Sequence, residues 1–194
     1  MVASPQSFYM TAEEYLEWEP LQELRYEYCN GQVIAMAGGT LPHNDLALNI
    51  YSALRPEARK KGCRVQVSDV KVQIDQVGNY RYPDVVLSCD ERDVTATDFL
   101  RHPTVIVEVL SSSTEKTDRF KKYQEYTQLP TLQAYMLISS DRIQVECYRR
   151  GEGRLWLYFQ YGAGETIPVE AIGTTIPVDL IYENVKLDAT PKQS

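Results

Sequence analysis

Residues 83–110 open with Pro83-Asp84-Val85-Val86-Leu87 and close with Thr104-Val105-Ile106-Val107-Glu108-Val109-Leu110. Each run has strand length, is apolar and is bounded by turn-forming or polar residues, the pattern of a buried strand. Each also holds one carboxylate. A buried carboxylate is costly unless it is paired or bound to a metal. Two such strands lying side by side aim Asp84 and Glu108 into one cleft, where they repel unless a cation intervenes. Lys122, on the charged segment after the Ser111–Ser113 turn, is one candidate for that cation, and a divalent metal is the other. Asp118, Lys122 and Tyr126 recur four residues apart, which puts them on one face of a helix.

Upstream, 65–67 and the alternating Val70-Lys71-Val72-Gln73-Ile74 read as strands. A Gly78-Asn79 turn then leads into a strand over 80–88 that carries Asp84. A helix is predicted from Pro42 to Lys61, with Leu46, Leu48, Ile50, Tyr51 and Leu54 on its apolar face and Gly62 as its stop. Pro56 is expected to kink or shorten it. His43 reads as a helix-start residue. The segment 24–36 is a hairpin turning at Asn30-Gly31, with Glu27 on its first strand. Thr11-Ala12-Glu13-Glu14 opens a short capped helix that runs to about Trp18.

Downstream, 132–139 and 142–150 form a strand pair, and 155–161, 165–168 and 175–178 read as further antiparallel strands. The last dozen residues are polar and read as loose. No repeat or linker divides the chain. The expectation is an α/β fold in one domain over 1–194, with its core at about 9–150 and C-terminal strands at about 154–180.

A chain of 194 residues with 43% hydrophobic content buries a core without staples. Cys29, Cys63, Cys89 and Cys147 form no C-x-x-C pair, which excludes a zinc ribbon and a redox motif. They read as buried small residues with reduced thiols. No signal peptide and no apolar run of membrane-spanning length is present, so a cytoplasmic protein with no membrane partner is expected. With 20 basic and 27 acidic residues the net charge is −7, which supplies no general basic footprint for nucleic acid. His43 and His102 are the sole histidines, so a His-based mechanism has little to draw on.

Glu27, Asp84, Glu108 and Lys122 form a constellation suited to metal-dependent phosphodiester hydrolysis. Carboxylate oxygens are hard ligands for Mg²⁺, which acidifies a bound water and offsets transition-state charge. At these residues the sequence resembles the PD-(D/E)XK nuclease superfamily and, more closely, the Uma-type restriction endonuclease family. The resemblance lies in Tyr26-Glu27, Asn30-Gly31, His43-Asn44, Ser68-Asp69-Val70, Tyr82-Pro83-Asp84-Val85-Val86 and Val107-Glu108-Val109-Leu110-Ser111. It continues through Thr114, Asp118-Arg119, Lys122, Tyr126 and Leu129-Pro130-Thr131-Leu132-Gln133, and spans roughly Tyr9 to Arg150.

The resemblance implies a restriction-endonuclease-like core, a central mixed sheet flanked by helices. It implies Mg²⁺, with Mn²⁺ as a substitute, held by Asp84, Glu108 and the Val109 carbonyl, and no organic cofactor. Glu27 would be an auxiliary acid and Lys122 would position water or phosphate. Asp69, Asp118 and Tyr126 would support them from behind, with DNA as substrate; a nuclease cutting both strands needs two sites, so a homodimer is expected. Two positions depart from the pattern. Leu110 stands where the superfamily places its lysine, so that role falls to Lys122; Ala134 and Ser139 stand where relatives commonly carry acids.

Plainer readings stand beside these. Asp84 could end a turn, Glu27 could pair with Arg25 or Lys71, Lys122 could belong to a solvated face, and Asp69 could close a strand end. A catalytically inactive dimeric binding or scaffold protein is the alternative from another class. Hydrolysis of a small phosphorylated molecule is a third.

Overall fold

A computed structural model of the chain describes residues 9–187, apart from 37, 76 and 77. The short first helix forms as predicted: α1 (Ala12–Trp18) is closed by a capping box between Thr11 and Glu14, and a 3₁₀ turn at Glu19–Leu21 follows. β1 (Tyr26–Cys29) and β2 (Gln32–Ala35) make the hairpin. Asn30 and Gly31 at its turn both have positive φ, 50° and 87°, which is why the pair suits a tight hairpin.

α2 (Leu41–Lys60) buries Leu46, Ala47, Ile50, Leu54 and Ala58. Leu48, predicted on that face, is instead exposed. Pro56 neither breaks nor shortens the helix. It and Ser52, whose carbonyl loses its partner, lie on the exposed side, where water satisfies the lone acceptor.

The predicted strand over 80–88 is two strands. β3 (Arg64–Val67) and β6 (Val85–Ser88) belong to one sheet, and β4 (Lys71–Gln73) and β5 (Tyr80–Arg81) to another. The chain crosses from one to the other at Ser68–Val70 and back at Tyr82–Asp84. Pro83 has no N–H to continue a ladder, and Ser68 N donates across the two crossings to the Asp84 carbonyl at 2.8 Å. Asp84 therefore sits at the mouth of β6 rather than within a strand.

Then come α3 (Glu91–Val94), β7 (Phe99–Leu100) and β8 (Val105–Leu110). A π-wound segment, Thr117–Lys122, leads into α4 (Tyr123–Tyr126). β9 (Ala134–Ser139), β10 (Val145–Arg150) and β11 (Trp156–Tyr161) follow. β12 (Thr166–Val169), β13 (Thr174–Pro177) and α5 (Val178–Ile181) close the described chain.

The fold is mixed α/β, with central mixed sheets flanked by helices. One sheet runs β2-β1-β5-β4-β7 and the other β11-β10-β9-β8-β6-β3, with β12 and β13 as a separate hairpin. β4–β7 and β8–β9 are parallel and the other pairs antiparallel. β8 alternates strictly. Val105, Val107 and Val109 pack under α2, while Ile106 and Leu110 face the layer that holds α4 and the other sheet. Glu108 shares the second face, by the period of two.

Cys63 and Cys89 are joined in a disulfide, contrary to the expectation of reduced thiols, and link the start of β3 to the end of β6. Cys29 and Cys147 are free and buried. Among the described residues no helix is long and apolar enough to cross a membrane. Most of the polar tail predicted to be loose, 188–194, lies outside the described residues.

Candidate active site

β6 and β8 pair antiparallel with Val85 opposite Val107, a register that sets Asp84 opposite Glu108. Both carboxylates thus come to one place, at the junction of the two sheets. Glu27 approaches from β1 in the other sheet, and Lys122 comes down from the π-wound segment. Lys122 Nζ lies 2.9 Å from Glu108 Oε1, 3.1 Å from Asp118 Oδ1 and 3.5 Å from Glu27 Oε1. Tyr126 donates its hydroxyl to Glu108 Oε1 at 2.8 Å. The four-residue spacing of Asp118, Lys122 and Tyr126 thus converges on Glu108, even where the backbone is π-wound.

Lys122 is neither on a solvated face nor facing bulk water: it is buried with Glu27, Glu108 and Asp118 around it. Burial alone would lower its pKa, but Glu108, Glu27 and Asp118 more than offset that and hold it well above the ordinary lysine value. Burial lifts Glu108 well above the usual carboxylate range, and the negative charges of Asp118 and Asp84 add to this. Asp118 is raised for the same first reason, with Asp84 again contributing. Glu27 goes the other way: burial opposes its charge, but Lys122 and Arg81 lower its pKa.

Glu27 pairs with neither Arg25 nor Lys71. Its partner is Arg81, whose Nη1 donates to Oε2 at 2.6 Å, and Arg81 also holds Glu125 at 2.8 Å. The Tyr82 amide donates to the other oxygen of Glu27. Lys71 is engaged instead by the buried Glu19, which also accepts from the Tyr82 hydroxyl.

Asp84 is fixed from two sides. The Val109 amide donates to its Oδ2 at 2.6 Å, and His43 Nε2 lies 3.3 Å from the same oxygen. The role of His43 was not evident in the sequence: α2 carries it from its first turn to Asp84. Burial works against the imidazolium, but Asp84 and the Val109 backbone raise its pKa overall. A Cβ on Gly39 would stand 3.0 Å from His43 Nδ1, so glycine there leaves the ring its room. Asp69 ends up at the strand-end turn, largely exposed and 3.9 Å from Arg25, with no ion contact to the cluster.

Glu27, Asp84, Glu108, Asp118 and Glu125 stand against Lys122 and Arg81 with His43 at the margin, an excess of hard oxygen charge. Asp118 Oδ1 is buried and, although close to Lys122, has no hydrogen-bond partner. Among the described residues no group of three His, Cys, Asp or Glu side chains is placed to hold a metal ion. Mg²⁺ keeps several waters and is commonly held by one or two carboxylates, a place that Asp84 and Glu108 could take.

A family model described as "Putative restriction endonuclease" (Uma2) matches residues 12–179. Two uncharacterized proteins of Synechocystis sp. are similar: one is 36% identical over 91% of this chain and 93% of its own length. The other is 32% identical over 83% of this chain and 92% of its own. Among solved structures, "a putative nuclease belonging to DUF820" from Anabaena variabilis superposes with a TM-score of 0.73 at 18% identity, covering 89% of this chain and 97% of that one. That likeness is one of fold. The chain belongs to the Uma2 family.

Proposed function

We propose that the protein is a metal-dependent endonuclease that hydrolyses DNA phosphodiester bonds. The observation that carries this reading is the juxtaposition of Asp84 and Glu108 with the buried Lys122 at a sheet junction, in a chain of this family. Asp84 and Glu108 would hold Mg²⁺, or Mn²⁺ in its place, with the Val109 carbonyl as a further oxygen. Such an ion, when bound, supplies an acidified water and neutralises charge on the phosphate.

The chain's own residues do the rest. His43 and the Val109 amide both engage Oδ2 of Asp84, which leaves Oδ1 to face a ligand. Tyr126 orients Glu108 in the same way. Lys122 is a preorganised cation: three carboxylates hold its ammonium in place before substrate arrives, so it orients phosphate or water without reorganisation. Glu27, locked by Arg81, acts as the auxiliary acid that fixes Lys122. Asp84 and His43 keep about a fifth of their side chains exposed while Glu108, Asp118 and Lys122 are covered, so the phosphate enters on the Asp84–His43 side. The protein would work as a homodimer, since cutting both strands of a duplex calls for two sites, and in the cytoplasm, where that duplex lies.

Plasmid cleavage tests the proposal. Supercoiled DNA with millimolar Mg²⁺ or Mn²⁺ is expected to be nicked and linearised by the wild type, with cleavage abolished by chelator. Asp84→Asn and Glu108→Gln should each lower the rate at least about a hundredfold. Undiminished cleavage by Glu108→Gln would overturn the assignment. An inert wild type that nevertheless binds DNA would favour a non-catalytic binding protein.

A further inference from the structure

β11 closes one end of the six-stranded sheet, paired with β10 on one side only. Among the described residues no backbone hydrogen bond reaches its other side. A bare strand edge is a template for another strand, and monomeric proteins guard theirs with Lys, Pro, bulges or brevity. Trp156-Leu157-Tyr158-Phe159-Gln160-Tyr161 has no charge and no Pro. Its register with β10 runs through all six residues without a bulge. Leu157 and Tyr158 are half exposed, and the adjoining Leu155 is 64% exposed. Two other edges are better protected: β7 is two residues long, and β3 begins with Arg64 beside the disulfide.

We propose that β11 pairs antiparallel with β11 of a second copy, joining two six-stranded sheets into one across a two-fold axis. The occupant follows from self-complementarity. An antiparallel edge presents the same alternation of donors and acceptors to its own rotated copy. A register centred on Tyr158 sets it opposite its own copy, Leu157 opposite Phe159 and Trp156 opposite Gln160, the same-face pairs that a two-fold axis requires. Aromatic cross-strand pairs are favourable, and no like charges meet. Two of the rings are already backed from within the subunit: the Arg149 guanidinium lies 3.8 Å over Phe159 and that of Arg150 4.6 Å over Trp156.

A corollary rests on the nuclease reading. A two-fold axis normal to the sheet keeps like faces together, so both Glu108 side chains open on the same face. β8 is three strands in from β11. Three steps in each subunit and one between them, at roughly 4.8 Å, put the two sites on the order of 34 Å apart. One turn of duplex DNA is about 34–36 Å. Two sites so placed address one groove face a turn apart.

Sedimentation velocity on the full chain decides the interface without reference to cleavage. The wild type is expected at twice its 22.2 kDa chain mass. The double variant Leu157→Lys with Tyr158→Lys is expected at single-chain mass, with its circular dichroism and melting unchanged. A wild type monomeric across the micromolar range would overturn the proposal, as would a folded double variant that remains dimeric. Should the double variant not fold, Gln160→Lys, exposed on the same edge, gives the same decision. On a linear duplex the dimer should place nicks on opposite strands about ten base pairs apart. Unpaired nicks would overturn the corollary and leave the interface standing.

Discussion

The ammonium of Lys122 is shared among Glu108, Asp118 and Glu27, and all four groups are buried. Lys122→Met strands the three carboxylates at once. Breaking a buried ion pair costs about 3–5 kcal/mol, so urea unfolding should show a loss of that order. Tyr126→Phe removes one neutral donor to Glu108 and should cost about 1–2 kcal/mol. His43→Ala touches a partly exposed pair, so its effect on folding should be small. Because it frees the Asp84 carboxylate, it should weaken Mg²⁺ binding about 10- to 100-fold. Glu108 and Lys122 were legible in the sequence because a charge inside an apolar strand, or at helical spacing from another, demands a partner. His43 and Arg81 were not. Their local context is that of a helix start and an alternating strand, and their partners, Asp84, Glu27 and Glu125, lie far along the chain.

At the scale of elements, local patterning carried most of the fold. The capped α1, the Asn30-Gly31 hairpin and β8 appear where their caps, turn residues and apolar run put them. What periodicity could not give was sheet membership. The runs 65–74 and 80–88 read as strands, yet each is split between two sheets by a crossing at Ser68 or at Pro83, a tertiary event with only a positive φ and a proline as local signs. The Cys63–Cys89 link was equally invisible, since 26 residues of separation carry no motif. It fastens β3 to β6, the strand that positions Asp84. Closing a loop of that length contributes roughly 3 kcal/mol. Reduction, or Cys63→Ser, should therefore lower the unfolding free energy by about that much, read from urea titration. Metal affinity should change little, as neither sulfur approaches the carboxylates.

For the whole molecule, the acidic cluster ties stability to pH. Glu108 and Asp118 have folded pKa values above their ordinary 4.5 and 3.8. Their contribution is fully present below those values and is lost as pH rises through the folded ones. Glu27 and Glu146 are lowered, so theirs is present above about 4.5 and lost in acid. The metal-free protein should therefore melt highest in mild acid and lose stability towards neutral pH. Calorimetric melts in chelator would show this, and Asp118→Asn should flatten the decline. The same surplus of buried negative charge is what a divalent cation would relieve.

The most direct test is calorimetric titration of Mg²⁺ into the wild type, Asp84→Ala and Glu108→Ala, each first shown to be folded. The account predicts saturable binding by the wild type at millimolar metal or below, with each variant weakened about tenfold or more. A wild type that takes up no Mg²⁺ or Mn²⁺ at millimolar concentration, or an Asp84→Ala protein that binds as well as wild type, would contradict it.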